Sequence, residues 1–306
     1  MGVSSVSAVG SISIVSVVRP TLRTWSSSVP PVTRFAPSPT GYLHLGHVVN
    51  AVYVWGVARA LGGSVRLRVE DHDRIRSRPD YERALLEDLD WLGFVPDAGR
   101  HPLDRQSDRS QRYEDALRHL STARHVYACR CSRRDIGGER YDGHCRTRGL
   151  ALDDGAGIRV EIGRGVEHTE DLLLGPLEQD PSEQSGDILL RDRDGHWTYQ
   201  FAVTVDDLTE GITLVIRGVD LLSSTGRQLR LARMLGRAEP SRFLHHPLII
   251  GDGGEKLSKR ARDTGIRELR GQGVTAAEVI GRAAAAVGLV QSGEVLAAAD
   301  AARLFL

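Results

Sequence analysis

Lysine is nearly missing from this sequence of 306 residues. Forty residues are basic, and all are arginine except Lys256 and Lys259. Cysteine is scarce too: there are three, all between Cys129 and Cys145. An odd, clustered set excludes a secreted disulfide framework and leaves a reducing compartment or a metal site. No uninterrupted apolar run reaches membrane-spanning length, so no membrane is expected among the partners. Formal net charge is zero, which excludes a general polyanion-binding character and leaves room only for a local basic face. Acid is absent before Glu70. Residues 1–31, rich in Ser and Val, lack the charged start of a secretory signal, and Val6 stands where a myristoylation pattern needs Ser or Thr. They are expected to be a disordered extension, with a transit peptide as the alternative, in a cytoplasmic protein.

What lysine there is sits in one stretch, Lys256-Leu257-Ser258-Lys259-Arg260, behind the flexible run Gly251-Asp252-Gly253-Gly254. Arginine does not replace lysine where a compact, mobile ammonium must reach a phosphate oxygen. A phosphate-handling loop on a glycine hinge follows.

Periodicity predicts a strand over Val32–Ala36, a turn-rich loop Pro37–Gly41, and a helix from His44 to Ala60 ended by Gly62-Gly63. Ser64–Val69 alternates as a strand, with Val65, Leu67 and Val69 on one face and arginines on the other. Pro79 opens a helix with the stripe Leu85, Leu86, Leu89, Leu92. This order makes a β-α-β unit and a parallel sheet. Cys129–Leu150 is poor in aliphatics. Strands are expected at Ile158–Ile162, Asp187–Arg191, Ile212–Ile216 and Arg242–Ile250, and helices at Tyr199–Leu208, Leu221–Leu235, Thr275–Ala285 and Val295–Leu304. The chain reads as an α/β domain interrupted by an insert and then resumed.

His44-Leu45-Gly46-His47 lies where the first loop becomes a helix, a position that attracts anions. Gly46 lets a nucleotide approach the backbone, and two imidazoles can donate to phosphate oxygens. Alone, such a pair is weak evidence. Together, Phe35–Gly41 with His44–His47, and Lys256–Arg260, resemble the HIGH and KMSKS motifs of class I aminoacyl-tRNA synthetases. Arg34–Gly41, Arg68–Asp73 and Val215–Leu222 resemble the glutamyl and glutaminyl branch. The resemblance runs from about Val32 to the lysine loop and implies a Rossmann-type parallel sheet. The segments expected are an extension (1–31), a first catalytic half (32–124), a zinc-containing acceptor-binding insert (125–195), a second half (196–255) and the KMSKS-like loop with a short helical region (256–306).

The resemblance implies ATP binding by His44, Gly46, His47, Lys256 and Lys259, with His44, His47 and Lys259 catalytic and Mg²⁺ carried by ATP. It implies L-glutamate binding by Arg34, Ala36, Ser38, Glu70, Tyr199 and Arg217. Planar guanidinium suits carboxylates, and Glu70 suits the ammonium. Which arginine takes which carboxylate stays open. Arginine donors also disfavour glutamine, whose amide would leave donor facing donor, at about 1–3 kcal/mol or more. From spacing alone, three thiolates with His144 make a tetrahedral zinc site. The resemblance implies Cys129, Cys131, Tyr141 and Cys145, holding one structural Zn²⁺ per chain.

Forty-seven residues follow Lys259, too few for a large anticodon-binding region. Within the branch the chain therefore most resembles the glutamyl-queuosine tRNA(Asp) synthetases. That family joins glutamate, activated with ATP, to queuosine in the tRNA(Asp) anticodon. A shortened glutamyl-tRNA synthetase and an inactive tRNA-binding paralogue are the alternatives. The motif ends in Arg260 where the family pattern has Ser.

Overall fold

The computed structural model describes residues 22–25, 27–123, 126–138, 140–153, 155–249 and 265–306. Both lysines and most of the N-terminal extension lie outside this set. In chain order the elements are β1 (Val32–Phe35), α1 (Leu45–Ala60), β2 (Ser64–Leu67), α2 (Pro79–Leu92), α3 (Ser110–Ala123), β3 (Val126–Cys129), α4 (Arg133–Ile136), β4 (Gly157–Val160), β5 (Glu167–Asp171), β6 (Gly175–Gln179), α5 (Pro181–Gln184), β7 (Ile188–Arg191), α6 (Tyr199–Thr209), β8 (Leu214–Gly218), α7 (Thr225–Met234), β9 (Arg242–His246), α8 (Ile266–Gly271) and α9 (Ala276–Ala286).

β1 and β2 pair in parallel, with Val32 opposite Ser64 and Phe35 opposite Leu67. α1 crosses between them and buries every residue from Val48 to Ala58 except Asn50. A helix apolar on nearly all sides is a central one. It is covered by α9 and by the short 3₁₀ helix Ala298–Leu304. Gly56 makes that cover possible: a Cβ there would lie 2.4 Å from the Phe305 ring.

A second sheet runs β6-β5-β9-β8, with β8 and β9 parallel in register from Leu214–Arg242 to Gly218–His246. It meets β1 where Thr213 N–H donates to the Val32 carbonyl at 2.9 Å. β5 is parallel to β9, Asp171 opposite Phe243. The hairpin β5–β6, which the sequence places in the insert, thus stands at the edge of the catalytic sheet. The insert has its own antiparallel sheet, β3-β4-β7, with Cys129 ending β3. This is the α/β class the sequence predicts, with parallel strands and an inserted subdomain.

Four expectations shift. The helix expected from Leu221 starts as a tight 3₁₀ turn, Val219–Ser224, before α7, and the one expected at Val295–Leu304 is 3₁₀ over Ala298–Leu304. The arginines of β2 and its extension do not share a solvent face: Arg66 is partly exposed, but Arg68 is fully buried. β2 also ends at Leu67, although the chain stays beside β1, with Arg68 N–H donating to the Phe35 carbonyl and Glu70 N–H to that of Pro37, each at 3.0 Å, while Val69 bridges Arg105 on the other side.

Candidate active site

The loop after β1 delivers His44 to the N-cap of α1. His44 Nδ1 accepts the Gly46 N–H at 3.1 Å, and His47 Nδ1 accepts the His44 N–H at 3.1 Å. A ring nitrogen that accepts cannot carry the proton, so both rings are neutral with their proton on Nε2. Burial pulls His47 down to about 3, which agrees. The rings lie 3.9 Å apart. A Cβ on Gly46 would come within 2.9 Å of the His44 ring, so this glycine permits the ring to fold back as the cap. The first turn of α1 holds no acid, leaving its positive end uncompensated. In front lies a cleft of about 380 Å³, lined by Ala36, Ser38, His44, Gly46, His47 and, from the far side, Gly218 and Asp220.

Beside the cleft, β1, the segment that follows β2, α6 and β8 bring together Arg34, Glu70, Tyr199 and Arg217. Arg34 and Arg217 are 5% and 4% exposed. Glu70 accepts from Arg68 at 3.0 Å. Burial raises its carboxyl pKa, against the pull of Arg68 and Arg34, so a further cation is welcome beside it. Burial, then the Glu70 charge, keeps the Tyr199 phenol protonated. The two arginines differ. Arg34 Nε pairs with Asp207 at 3.1 Å. Arg217 donates from Nε to His245 Nε2 at 3.1 Å, from one terminal nitrogen to Gln228 Oε1 at 2.6 Å, and from the other to Thr225 Oγ1 at 2.9 Å. All three acceptors are neutral, and no carboxylate among the described residues pairs with Arg217. Burial lowers its pKa to about 10.

Sequence reasoning missed this supporting cast. Fully buried Arg68 pairs with Glu70 at 3.0 Å, Asp207 at 2.9 Å and Glu210 at 2.8 Å. Arg109 adds Asp206 at 2.7 Å and Glu210 at 2.5 Å. The acidic run Asp206-Asp207 inside an otherwise apolar α6 was the available signal, since buried carboxylates demand partners.

The three cysteines converge, their sulfurs mutually within 4.8 Å. Cys131 Sγ is 3.4 Å from Cys145 Sγ. Tyr141 OH lies 3.5 Å from Cys129 Sγ and accepts the Cys145 N–H at 3.1 Å. His144 Nε2 lies 3.1 Å from Cys131 Sγ, its Nδ1 held by Asp142 at 2.6 Å. Tyr141 is buried and His144 exposed. Arg159 donates to Cys129 Sγ at 3.4 Å and stacks over the Tyr141 ring at 3.8 Å. Burial raises the Cys129 thiol, but hydrogen bonds from Tyr141, Cys131 and Arg159 outweigh it and bring it to about 7. Burial and the neighbouring sulfurs push Cys131 up to about 12. Sulfurs that oppose one another's ionisation suit a cation between them, so the donor set fits Zn²⁺.

A phosphate-type helix terminus beside a pocket of two arginines and a carboxylate, on parallel strands with an insert, defines an aminoacyl-tRNA synthetase of class I. The chain belongs to that family: residues 31–294 match tRNA synthetases class I (E and Q), catalytic domain. It is 39% identical to the Glutamyl-Q tRNA(Asp) synthetase of Nitratidesulfovibrio vulgaris, over 84% of this chain and 86% of that protein. It is 42% identical to the same-named protein of Pseudomonas aeruginosa, over 76% of this chain and 78% of that one. Glutamate–tRNA ligase 2 of Cereibacter sphaeroides is 38% identical over 79% of this chain, which spans only 58% of the ligase. The solved glutamate tRNA ligase of Elizabethkingia meningosepticum, in complex with its amino acid, superposes with a TM-score of 0.71 at 25% identity, over 90% of this chain and 68% of that one.

Proposed function

We propose that this enzyme activates L-glutamate with ATP and transfers it to queuosine in the anticodon of tRNA(Asp), in the cytoplasm. The substrate α-carboxylate attacks the α-phosphorus of ATP, and pyrophosphate leaves in line. Little covalent chemistry falls to the protein; positioning and charge stabilisation carry the rate. His44 and His47, neutral with Nε2–H outward from their caps, donate to the phosphates while the α1 terminus adds its dipole. Lys256 supports the triphosphate tail and Lys259 the transition state. Mg²⁺ arrives on ATP. Arg34 and Arg217 take the carboxylates of glutamate and Glu70 its ammonium, with Tyr199 as a wall, and Ala36 and Ser38, which line the cleft, complete the glutamate site. In the second step a queuosine hydroxyl attacks the mixed anhydride and releases AMP.

Cys129, Cys131, Tyr141 and Cys145 would hold zinc, which would tie β3 to the loop 141–145 in a structural role. The arginines of that insert, among them Arg134, Arg140 and Arg148, offer cations for RNA phosphates, an attraction that weakens steeply with salt; Arg146 is instead held by Asp187 at 2.6 and 2.7 Å.

One observation carries the choice of acceptor: the chain is more alike to Glutamyl-Q tRNA(Asp) synthetases, 42% identical to that of Pseudomonas aeruginosa, than to the glutamate–tRNA ligase of Cereibacter sphaeroides at 38%. The expected results are glutamate-dependent ATP–pyrophosphate exchange without tRNA, transfer to queuosine-containing tRNA(Asp), and none to tRNA(Asp) carrying guanosine there. Transfer to the 3′ end of tRNA(Glu) instead would overturn the assignment.

A further inference from the structure

We propose that Asp171 and His245 act as a positioning relay that fixes Arg217 while leaving its charge for the substrate, an inference that rests on the glutamate reading above. The three residues come from adjacent strands. β8 and β9 place Arg217 directly opposite His245, and β5 places Asp171 opposite Phe243, two residues back along β9. Asp171 and His245 side chains are 0% exposed.

The hydrogen-bond accounting allows one arrangement. Asp171 Oδ1 accepts the N–H groups of Leu173 and Leu174, each at 2.8 Å. Its Oδ2 accepts the His245 N–H at 3.0 Å and the ring Nδ1 at 2.7 Å. Four donors on one buried carboxylate hold it ionised, and its pKa is lowered although burial opposes this. The ring proton is therefore on Nδ1 and the lone pair on Nε2, which accepts Arg217 Nε–H at 3.1 Å. Thr225 Oγ1 is 3.3 Å from the same nitrogen. Gln228 is oriented in turn, its Nε2 donating to Gln200 Oε1 at 2.8 Å.

The geometry has a consequence for charge. A carboxylate touching Arg217 would fix it equally well, but would neutralise it and compete with the incoming carboxylate. An imidazole keeps the negative charge of Asp171 one ring's width away. Arg34, whose carboxylate partner Asp207 touches it directly, shows the other solution in the same pocket. Asp171 and His245 touch no substrate in this scheme; they act through Arg217.

The test compares His245→Leu, which removes the acceptor, with His245→Gln, which returns one near the Nε2 position. KM values for glutamate and ATP come from pyrophosphate exchange, with melting curves as a control. His245→Leu should raise KM for glutamate at least about tenfold, as when one hydrogen bond to a charged group is lost. KM for ATP should stay within about twofold and His245→Gln should recover most of the loss. Independently, nitrogen NMR of the wild-type protein should show the His245 proton on Nδ1. A proton on Nε2, equal rises in both KM values, or no recovery by His245→Gln would overturn the relay. If the wild-type enzyme shows no glutamate-dependent exchange, the glutamate reading fails, and the tautomer still decides the relay.

Discussion

Arg68 and Arg217 are both buried arginines beside one pocket, and their partners differ in kind. Arg68 meets Glu70, Asp207 and Glu210, with Asp206 at 3.9 Å. Burial works against its charge, but these carboxylates outweigh it and raise its pKa well above the ordinary value. Arg217 meets an imidazole, an amide and a hydroxyl, and burial wins. The first arginine balances charge inside the fold and steadies Glu70. The second holds charge against the cost of desolvation, which is sensible where a substrate carboxylate completes the pair.

The sharpest break of this comparison is Arg68→Met. Removing one partner of a buried ionic cluster leaves carboxylates uncompensated, and the expected loss of stability is about 3–5 kcal/mol. Denaturant unfolding measures it; a loss under about 1 kcal/mol would mean that the cluster relaxes into solvent. Arg217→Gln should do the reverse. Glutamate-dependent exchange should fall about 100-fold through KM for glutamate, while the melting temperature holds or rises, since an unbalanced buried charge is gone. Comparable destabilisation by both variants would erase the distinction.

Part of this was legible in the sequence. The unit β1-α1-β2 and the helix α2 follow from local periodicity, and the cysteine cluster from three residues close in the chain. The two arginine environments did not follow. Alternation along β2 gives Arg68 a polar face, but not the carboxylates that come to meet it: Asp207 lies 139 residues away. Asp171 and His245, 74 residues apart, are single titratable residues in separate strands until the sheet brings them together. Short-range pattern reveals which side chains are amphipathic; only the register between distant strands reveals which charges are balanced.

The cysteine cluster extends the comparison to a site where a metal would supply the balancing charge. Tyr141→Phe should weaken zinc retention about 10- to 100-fold, read by metal content after dialysis against a chelator. His144→Ala, at an exposed side chain, should cost less. The opposite order would give the fourth ligand to His144, and metal content near zero in the untreated protein would remove the zinc site altogether.

The smallest effect belongs to Asp88, the carboxylate counterpart of Arg217. It lies on α2, is 1% exposed, and its Oδ2 has no hydrogen-bond partner among the described residues. Burial raises its pKa to about 6, and the more distant Arg267 and Arg270 only temper this. The sign follows from linkage. A carboxyl whose folded pKa exceeds its unfolded one costs nothing while protonated in both states, and destabilises the fold as pH rises from about 4 through the folded value. Asp88→Asn keeps the shape and removes the charge, so it should stabilise the protein by about 1 kcal/mol at neutral pH, with the gain fading as pH falls toward about 4. Melting curves of both proteins across that range give the answer. An Asn variant that is less stable at neutral pH would show that Asp88 is balanced after all, by Arg267 and Arg270, as carboxylates balance Arg68; a gain independent of pH would show that the Asp88 charge is not its source.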